Sequence, residues 1–317
     1  MMSDGMRALV TGGAGFLGSH VVDRLLAGGG EVVALDNFAT GRWDNLDPHP
    51  RLRVVEGSVA DAVLVDRLFD EFRPTHVVHG AAAYRDPDAW RDDATTNVLG
   101  TVALVAAAQR AAVSRFVYLQ TALCYGRPRQ PLLGLDHPLE PFTSYAVSKT
   151  AGEQYVRLAD VPWASLRLAN VYGPRHFSGP MPAFYRRLKR GERCLVADTR
   201  RDFVEVEDFL ALMDRALDSK APSGCFNVAS GRDWSIQEVF DLIAARLGVD
   251  GAGLADRVAA DVDDVATLRL DPVETERVLG LRPVVPLEAG IARLIDWYER
   301  HGVDATYTHL AIGRGRG

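Results

Sequence analysis

Thr11-Gly12-Gly13-Ala14-Gly15-Phe16-Leu17-Gly18 follows the apolar run Ala8-Leu9-Val10 and opens a stretch of helical spacing that continues to Ala27. A second apolar run, Val32-Val33-Ala34-Leu35, ends at Asp36. Strand, glycine-rich turn, helix and strand in that order make a βαβ unit, with glycines where backbone must approach a ligand closely. The start of the helix leaves N–H groups unpaired and aimed at an anion, which suits a pyrophosphate. Gly12, Gly15, Phe16, Leu17 and Gly18 are therefore candidate dinucleotide contacts. Asp36 is placed to accept hydrogen bonds from the adenosine ribose and to repel a 2′-phosphate, which favours NAD over NADP. Arg42 is the counter-argument, since a nearby arginine can accommodate that phosphate.

The alternation continues outward from this unit. Strands are expected at Leu52 to Glu56, Thr75 to His79, Arg115 to Gln120 and Trp163 to Leu168. Helices are expected at Asp61 to Glu71, Asp93 to Ala112 and Tyr145 to Ala159. Runs such as Phe116-Val117-Tyr118-Leu119 are apolar throughout, as in strands covered by helices on both faces. The expected fold class is α/β, a doubly wound parallel Rossmann-type sheet with ligands at the carboxyl ends of its strands. Beyond about residue 170 the prolines and glycines at Gly173-Pro174, Gly179-Pro180 and Pro182 break the chain before a basic helix from Ala183 to Arg190. Later helices are expected at Val206 to Ser219, Ser235 to Leu247, Pro272 to Leu279 and Leu287 to Gly302, with a strand at Cys225 to Val228. The expected division is a dinucleotide domain over 1–170 with interleaved later segments, a smaller α/β substrate lobe over 171–312, and a disordered tail over 313–317.

Tyr145-Ala-Val-Ser-Lys149 carries the chemistry. Four residues apart on a helix, the phenol and the ammonium share a face, and a cation beside a phenol favours phenolate. Such a tyrosine can take a proton from an alcohol while hydride leaves the same carbon for a nicotinamide. Thr121, at the end of a buried strand, either caps the following loop or contributes a hydroxyl to the site. His79 reads as a satisfied core histidine and Cys124 as a small buried filler.

Composition narrows the classes. The 317 residues are 47% hydrophobic and 25% charged, with a net charge of -6 that provides no basic footprint for nucleic acid. Cys124, Cys194 and Cys225 are too few and too widely spaced for a disulfide framework or a tetrahedral metal site, so no metal is expected and a reducing cytoplasm is the expected location. No apolar run reaches the length of roughly 18 residues that a membrane span needs.

Nine ordered blocks resemble the extended short-chain dehydrogenase/reductase family, and within it the nucleotide-sugar epimerases and dehydratases. They are the glycine-rich stretch, Asp36-Asn37-Phe38, His79-Gly80-Ala81-Ala82, Asn97-Val-Leu-Gly-Thr101, Thr121 to Gly126, Tyr145 to Lys149, Arg167 to Pro174, Arg201-Asp-Phe203 through Asp208, and Phe226-Asn-Val228. The resemblance implies Tyr145 as general base and Lys149 as the residue that lowers its pKa and holds the nicotinamide ribose. Thr121 would hydrogen-bond the reacting sugar oxygen. It further implies Asn37, Phe38, Ser58, Val59, Gly80, Ala81, Ala82 and Asn97 around the cofactor, and Asn170, Arg175 and Arg201 on the substrate. Helices beginning near Asp93 and Tyr145 would form a homodimer interface.

Departures from the family pattern refine the expectation. Dehydratases place an Asp-Glu pair after the threonine and related decarboxylases a Ser-Glu pair, whereas this chain has Ala122-Leu123, so epimerisation is preferred over elimination. Ser58 stands where an aspartate usually reads the adenine amine, and the arginine that clamps the substrate diphosphate falls at Asp261. Arg85 would suit a carboxylated sugar. The expected function is NAD-dependent epimerisation, at carbon 4, of a UDP-hexose or UDP-hexuronate. A dehydrogenase, ketoreductase or dehydratase of the same family and a non-catalytic NAD sensor are the alternatives.

Overall fold

The computed structural model describes residues 5–84, 86–260, 264–303 and 306. Its centre is a seven-stranded parallel sheet. Six strands arise in chain order: β1 (Arg7–Thr11), β2 (Glu31–Asp36), β3 (Leu52–Glu56), β4 (His76–His79), β5 (Arg115–Thr121) and β6 (Trp163–Leu168). The seventh, Gly224–Val228, returns from late in the chain to pair with β6, with Phe226 opposite Leu166. Across the sheet the order is Gly224–Val228, β6, β5, β4, β1, β2, β3. The direction of winding reverses between β1 and β4, which opens a crevice above their carboxyl ends.

Alternate residues of each strand enter opposite cores. Val10, Ala34, Val78 and Val117 pack with α1 (Phe16–Ala27) and the helix Val206–Ala216. Leu9, Val33, Val77 and Phe116 pack with α2 (Ala62–Phe72) and the helix Gly100–Arg110. Burial on both faces explains the unbroken apolar runs. Asp61 caps α2, its carboxylate accepting from the Leu64 N–H at 3.0 Å.

A separate hydrophobic cluster joins the helices Pro180–Leu188, Ile236–Leu247 and Leu287–His301, with Phe184, Phe240, Ile291 and Tyr298 at its centre. The basic helix begins earlier than expected because Pro180 occupies its first turn, where a missing N–H is harmless. The strands Asn170–Tyr172, Cys194–Ala197, Arg200–Arg201 and Phe203–Glu205 have no clear signal in the sequence. They are two to four residues long and pair only across long separations, so they lack a legible period. The helix expected from Asp93 begins at Trp90–Asp93, passes through a wider turn over Ala94–Leu99 and continues as Gly100–Arg110. The tail at 313–317 lies outside the described residues.

Candidate active site

A cleft of about 1490 Å³ runs over the carboxyl ends of β1, β2, β4 and β5 and on to the helix Pro180–Leu188. At one end the glycine-rich turn forms a backbone cradle. Gly12 has φ +68°, and a Cβ there would lie 2.8 Å from the Ala81 nitrogen. A Cβ on Gly18 would lie 1.9 Å from the Gly12 carbonyl oxygen, so α1 can approach the turn this closely only without a side chain. Gly15 caps α1 in extended conformation, with Phe16 and Leu17 lining the cleft behind it. This cradle and the free N–H groups of the first turn fit a dinucleotide pyrophosphate.

Asp36 also lines the cleft. It is buried, and its carboxylate accepts from the N–H groups of Ala14 at 2.9 Å and Phe38 at 2.8 Å. Burial pushes this carboxyl up, while those N–H donors pull it down. Arg42 is held in a bidentate pair with Asp44, and its guanidinium lies 5.3 Å from the centre of the Phe177 ring. Asn37, Ser58, Val59, Gly80, Ala81 and Ala82 line the same cleft. Phe38 does not. At φ +55° it stacks its ring on Trp43, with centroids 4.0 Å apart. Asn97 is buried behind the wall, where its amide bonds both polar backbone groups of Ala83 and the Ser148 hydroxyl. It shapes the loop that continues from Ala81 without lining the cleft.

Thr121, Tyr145 and Lys149 line the same cleft. Thr143 caps the helix Ser144–Arg157, whose first turns present Tyr145 and Lys149 on one face. The Thr121 hydroxyl accepts from the Leu123 N–H at 3.2 Å while the residue lines the cleft, so capping and exposure to the site coexist. Lys149 is almost fully buried, and its Nζ lies 3.9 Å from the centre of the Tyr118 ring. Burial brings its pKa down to about 7, against the pull of Glu153. Burial raises the Tyr145 phenol, with Tyr84 and Asp93 adding to the rise. Within the protein's own charges, desolvation dominates and the ammonium rests on an aromatic face.

The substrate side holds Asn170, whose amide donates to the Asp202 carbonyl at 3.1 Å, together with Arg175 and Arg201. Both arginines line the cleft with partners already in place. Arg175 donates to Asp23 at 2.6 Å, and buried Arg201 pairs with Asp264. Arg85 and Asp261 lie outside the described residues. His79 bridges the Thr11 and Thr101 hydroxyls at 2.8 and 2.9 Å, a satisfied core histidine, and Cys124 is buried among apolar neighbours.

Sequence reasoning missed Gln120, whose side chain ties the Thr121 N–H to the Lys149 carbonyl and so couples β5 to the helix Ser144–Arg157. Its signal was a polar residue in the last positions of an apolar strand. Asp93 and His176 were missed for a different reason. Each is a single polar residue whose burial appears only once distant segments pack.

The model of the NAD dependent epimerase/dehydratase family matches residues 8–229. The chain is similar to the Bordetella bronchiseptica enzyme WbmG, solved in complex with NAD and UDP. The identity is 48%, with a TM-score of 0.92, covering 98% of this chain and 99% of that one. It is also 35% identical to a UDP-glucose 4-epimerase of Mycolicibacterium smegmatis, over 92% of this chain and 98% of the relative. A dTDP-glucose 4,6-dehydratase of Streptomyces antibioticus is 32% identical over 92% of each chain. With a glycine cradle, Thr121, Tyr145 and Lys149 all lining one cleft and a family match over residues 8–229, the chain belongs to the NAD dependent epimerase/dehydratase family.

Proposed function

We propose that the protein is an NAD-dependent epimerase of a nucleotide-activated sugar, inverting carbon 4 of a UDP-hexose or UDP-hexuronate. The observation that supports this reading is that Tyr145, Thr121 and Lys149 line the cleft that also holds the glycine cradle. Bound there, NAD would supply a hydride acceptor and a positive charge on its pyridinium ring. The cradle and Asp36 would hold the dinucleotide, and Tyr145 Oη would take the proton of the sugar hydroxyl. Thr121 would hold that oxygen, and Lys149 would orient the ribose.

The choice of epimerisation over elimination rests on Ala122 and Leu123. Ala122 is buried, both residues line the cleft, and neither carries a proton donor. The Mycolicibacterium relative, named for 4-epimerisation of UDP-glucose, supports UDP and carbon 4. The experiment is NMR of UDP-hexoses and UDP-hexuronates incubated with the protein and NAD. Interconversion of C4 epimers is expected, with kcat falling about 10²- to 10⁴-fold in Tyr145→Phe at unchanged fold. Full activity in that variant, or net NADH release without epimer formation, would overturn the reading.

Homodimerisation belongs to the same proposal. Val147 and Tyr155 on the helix Ser144–Arg157 form one exposed apolar stripe with Leu158, which caps its C-terminal end, and exposed Leu99 lies on the neighbouring helical run. Among the described residues no helix is long and apolar enough to cross a membrane. The free cysteines Cys124, Cys194 and Cys225 suit a reducing cytoplasm.

A further inference from the structure

The segment after Asn170–Tyr172 crosses from the sheet to the C-terminal lobe, and it is pinned on both sides. His20 Nε2 on α1 donates to the Pro174 carbonyl at 2.9 Å, and Arg175, at φ +67°, reaches Asp23 on the same helix. From the other lobe the Tyr298 hydroxyl donates to the His176 carbonyl. Between these anchors the His176 ring stacks on Phe16, with centroids 4.7 Å apart and planes 26° from parallel. Phe16 is the first residue of α1, next to the cradle glycine Gly15. His176 Nδ1 is enclosed with no hydrogen-bond partner, yet the residue lines the cleft, so Nε2 is the nitrogen left to meet a ligand.

Resting on the dinucleotide reading above, we propose that His176 is a cofactor-binding residue that donates its Nε2–H to a phosphoryl oxygen of the dinucleotide pyrophosphate beside the first turn of α1. An enclosed N–H without an acceptor is rarer and costlier than an enclosed lone pair, so the single proton of the neutral ring belongs on Nε2. Burial brings the imidazole down to about 4, which keeps it uncharged at neutral pH. The guanidinium next to it is engaged by Asp23 and Ser19, so the loop offers the pyrophosphate a fixed neutral donor in place of a mobile cation. Stacking on Phe16 and the carbonyl contact to Tyr298 hold the ring in orientation from both lobes.

The test is equilibrium binding of NAD to the full chain for the wild type, His176→Phe and His176→Gln, with UDP titrated separately into the NAD-loaded protein. Phenylalanine keeps the stack and removes the donor, so NAD affinity should fall about tenfold, as for loss of a hydrogen bond to a charged group. Glutamine, which restores an N–H, should recover part of the loss. The loss should be the same at about pH 6 and about pH 8, because a ring that stays neutral does not titrate there. UDP affinity should not move. Unchanged NAD affinity in His176→Phe would reduce His176 to packing and overturn the inference. A loss confined to UDP would also overturn it and move the contact to the substrate's diphosphate. A wild type that binds no NAD would instead sink the dinucleotide reading itself, and this inference with it.

Discussion

Lys149 shows how a side chain that is ordinary in the sequence acquires its character from burial. Its ammonium is enclosed beneath the cleft, where the Tyr118 ring offsets only part of the lost hydration. The folded-state pKa of about 7 lies below the unfolded value of 10.5. The unfolded chain therefore binds the proton more tightly between those values, and this group's contribution to stability rises with pH through that window. Below about pH 7 both states are protonated, and the folded protein carries the full cost of enclosing the charge. Lys149→Met should accordingly raise the melting temperature more at about pH 6 than at about pH 9, where the lysine is already neutral in the fold. Equal gains at both pH values, followed by scanning calorimetry, would contradict the burial argument. The spacing of Tyr145 and Lys149 was legible because a helix repeats every 3.6 residues. The direction of their pKa shifts was not, because desolvation depends on what the rest of the chain stacks over them.

Turns and helices carry the next level. The glycine cradle is readable in one dimension because each glycine answers a local clash. Gly18→Ala would place a methyl group 1.9 Å from the Gly12 carbonyl oxygen, and relief would require α1 to move off the turn. NAD affinity should fall at least about tenfold and stability by about 1–3 kcal/mol, measured by NAD titration and thermal melting. A variant that binds NAD like the wild type would show that the close approach is not needed. Helices with strong signals appear near their expected ends, such as Ser144–Arg157 and Leu287–His301. Ser235 and Glu238 form a reciprocal capping box that starts Ile236–Leu247 one residue after the expected start. The resemblance expects Phe38 and Asn97 at the cofactor, and in the fold Phe38, at positive φ, stacks on Trp43 while the Asn97 amide accepts from the Ala83 N–H. Neither turn could be read from residue type alone.

For the whole molecule, the contacts that matter most join segments far apart in the chain. Arg167 on β6 and Glu153 on the helix Ser144–Arg157 form a buried pair at 2.6 Å, completed by the Ser165 hydroxyl and Tyr125. Gly224–Val228 returns to pair with β6, and the later residues Ile236, Asp264 and Leu268 line the cleft. In the proposed dimer the apolar stripe at Val147, Tyr155 and Leu158 would meet the second copy, and Leu158 is 78% exposed. Leu158→Glu should convert a dimer into monomers in sedimentation equilibrium, since a carboxylate would be desolvated at the centre of the contact. A monomeric wild type would remove the dimer proposal. By itself the sequence determined the parallel α/β sheet, the glycine cradle and the Tyr-Lys helix, because apolar periodicity and steric demands at glycine act locally. Only the tertiary structure decided that Arg175 and Arg201 already hold carboxylates, that Lys149 rests on an aromatic ring, and that His176 stands over Phe16. Those outcomes depend on burial and on partners tens to hundreds of residues away, which no local pattern encodes.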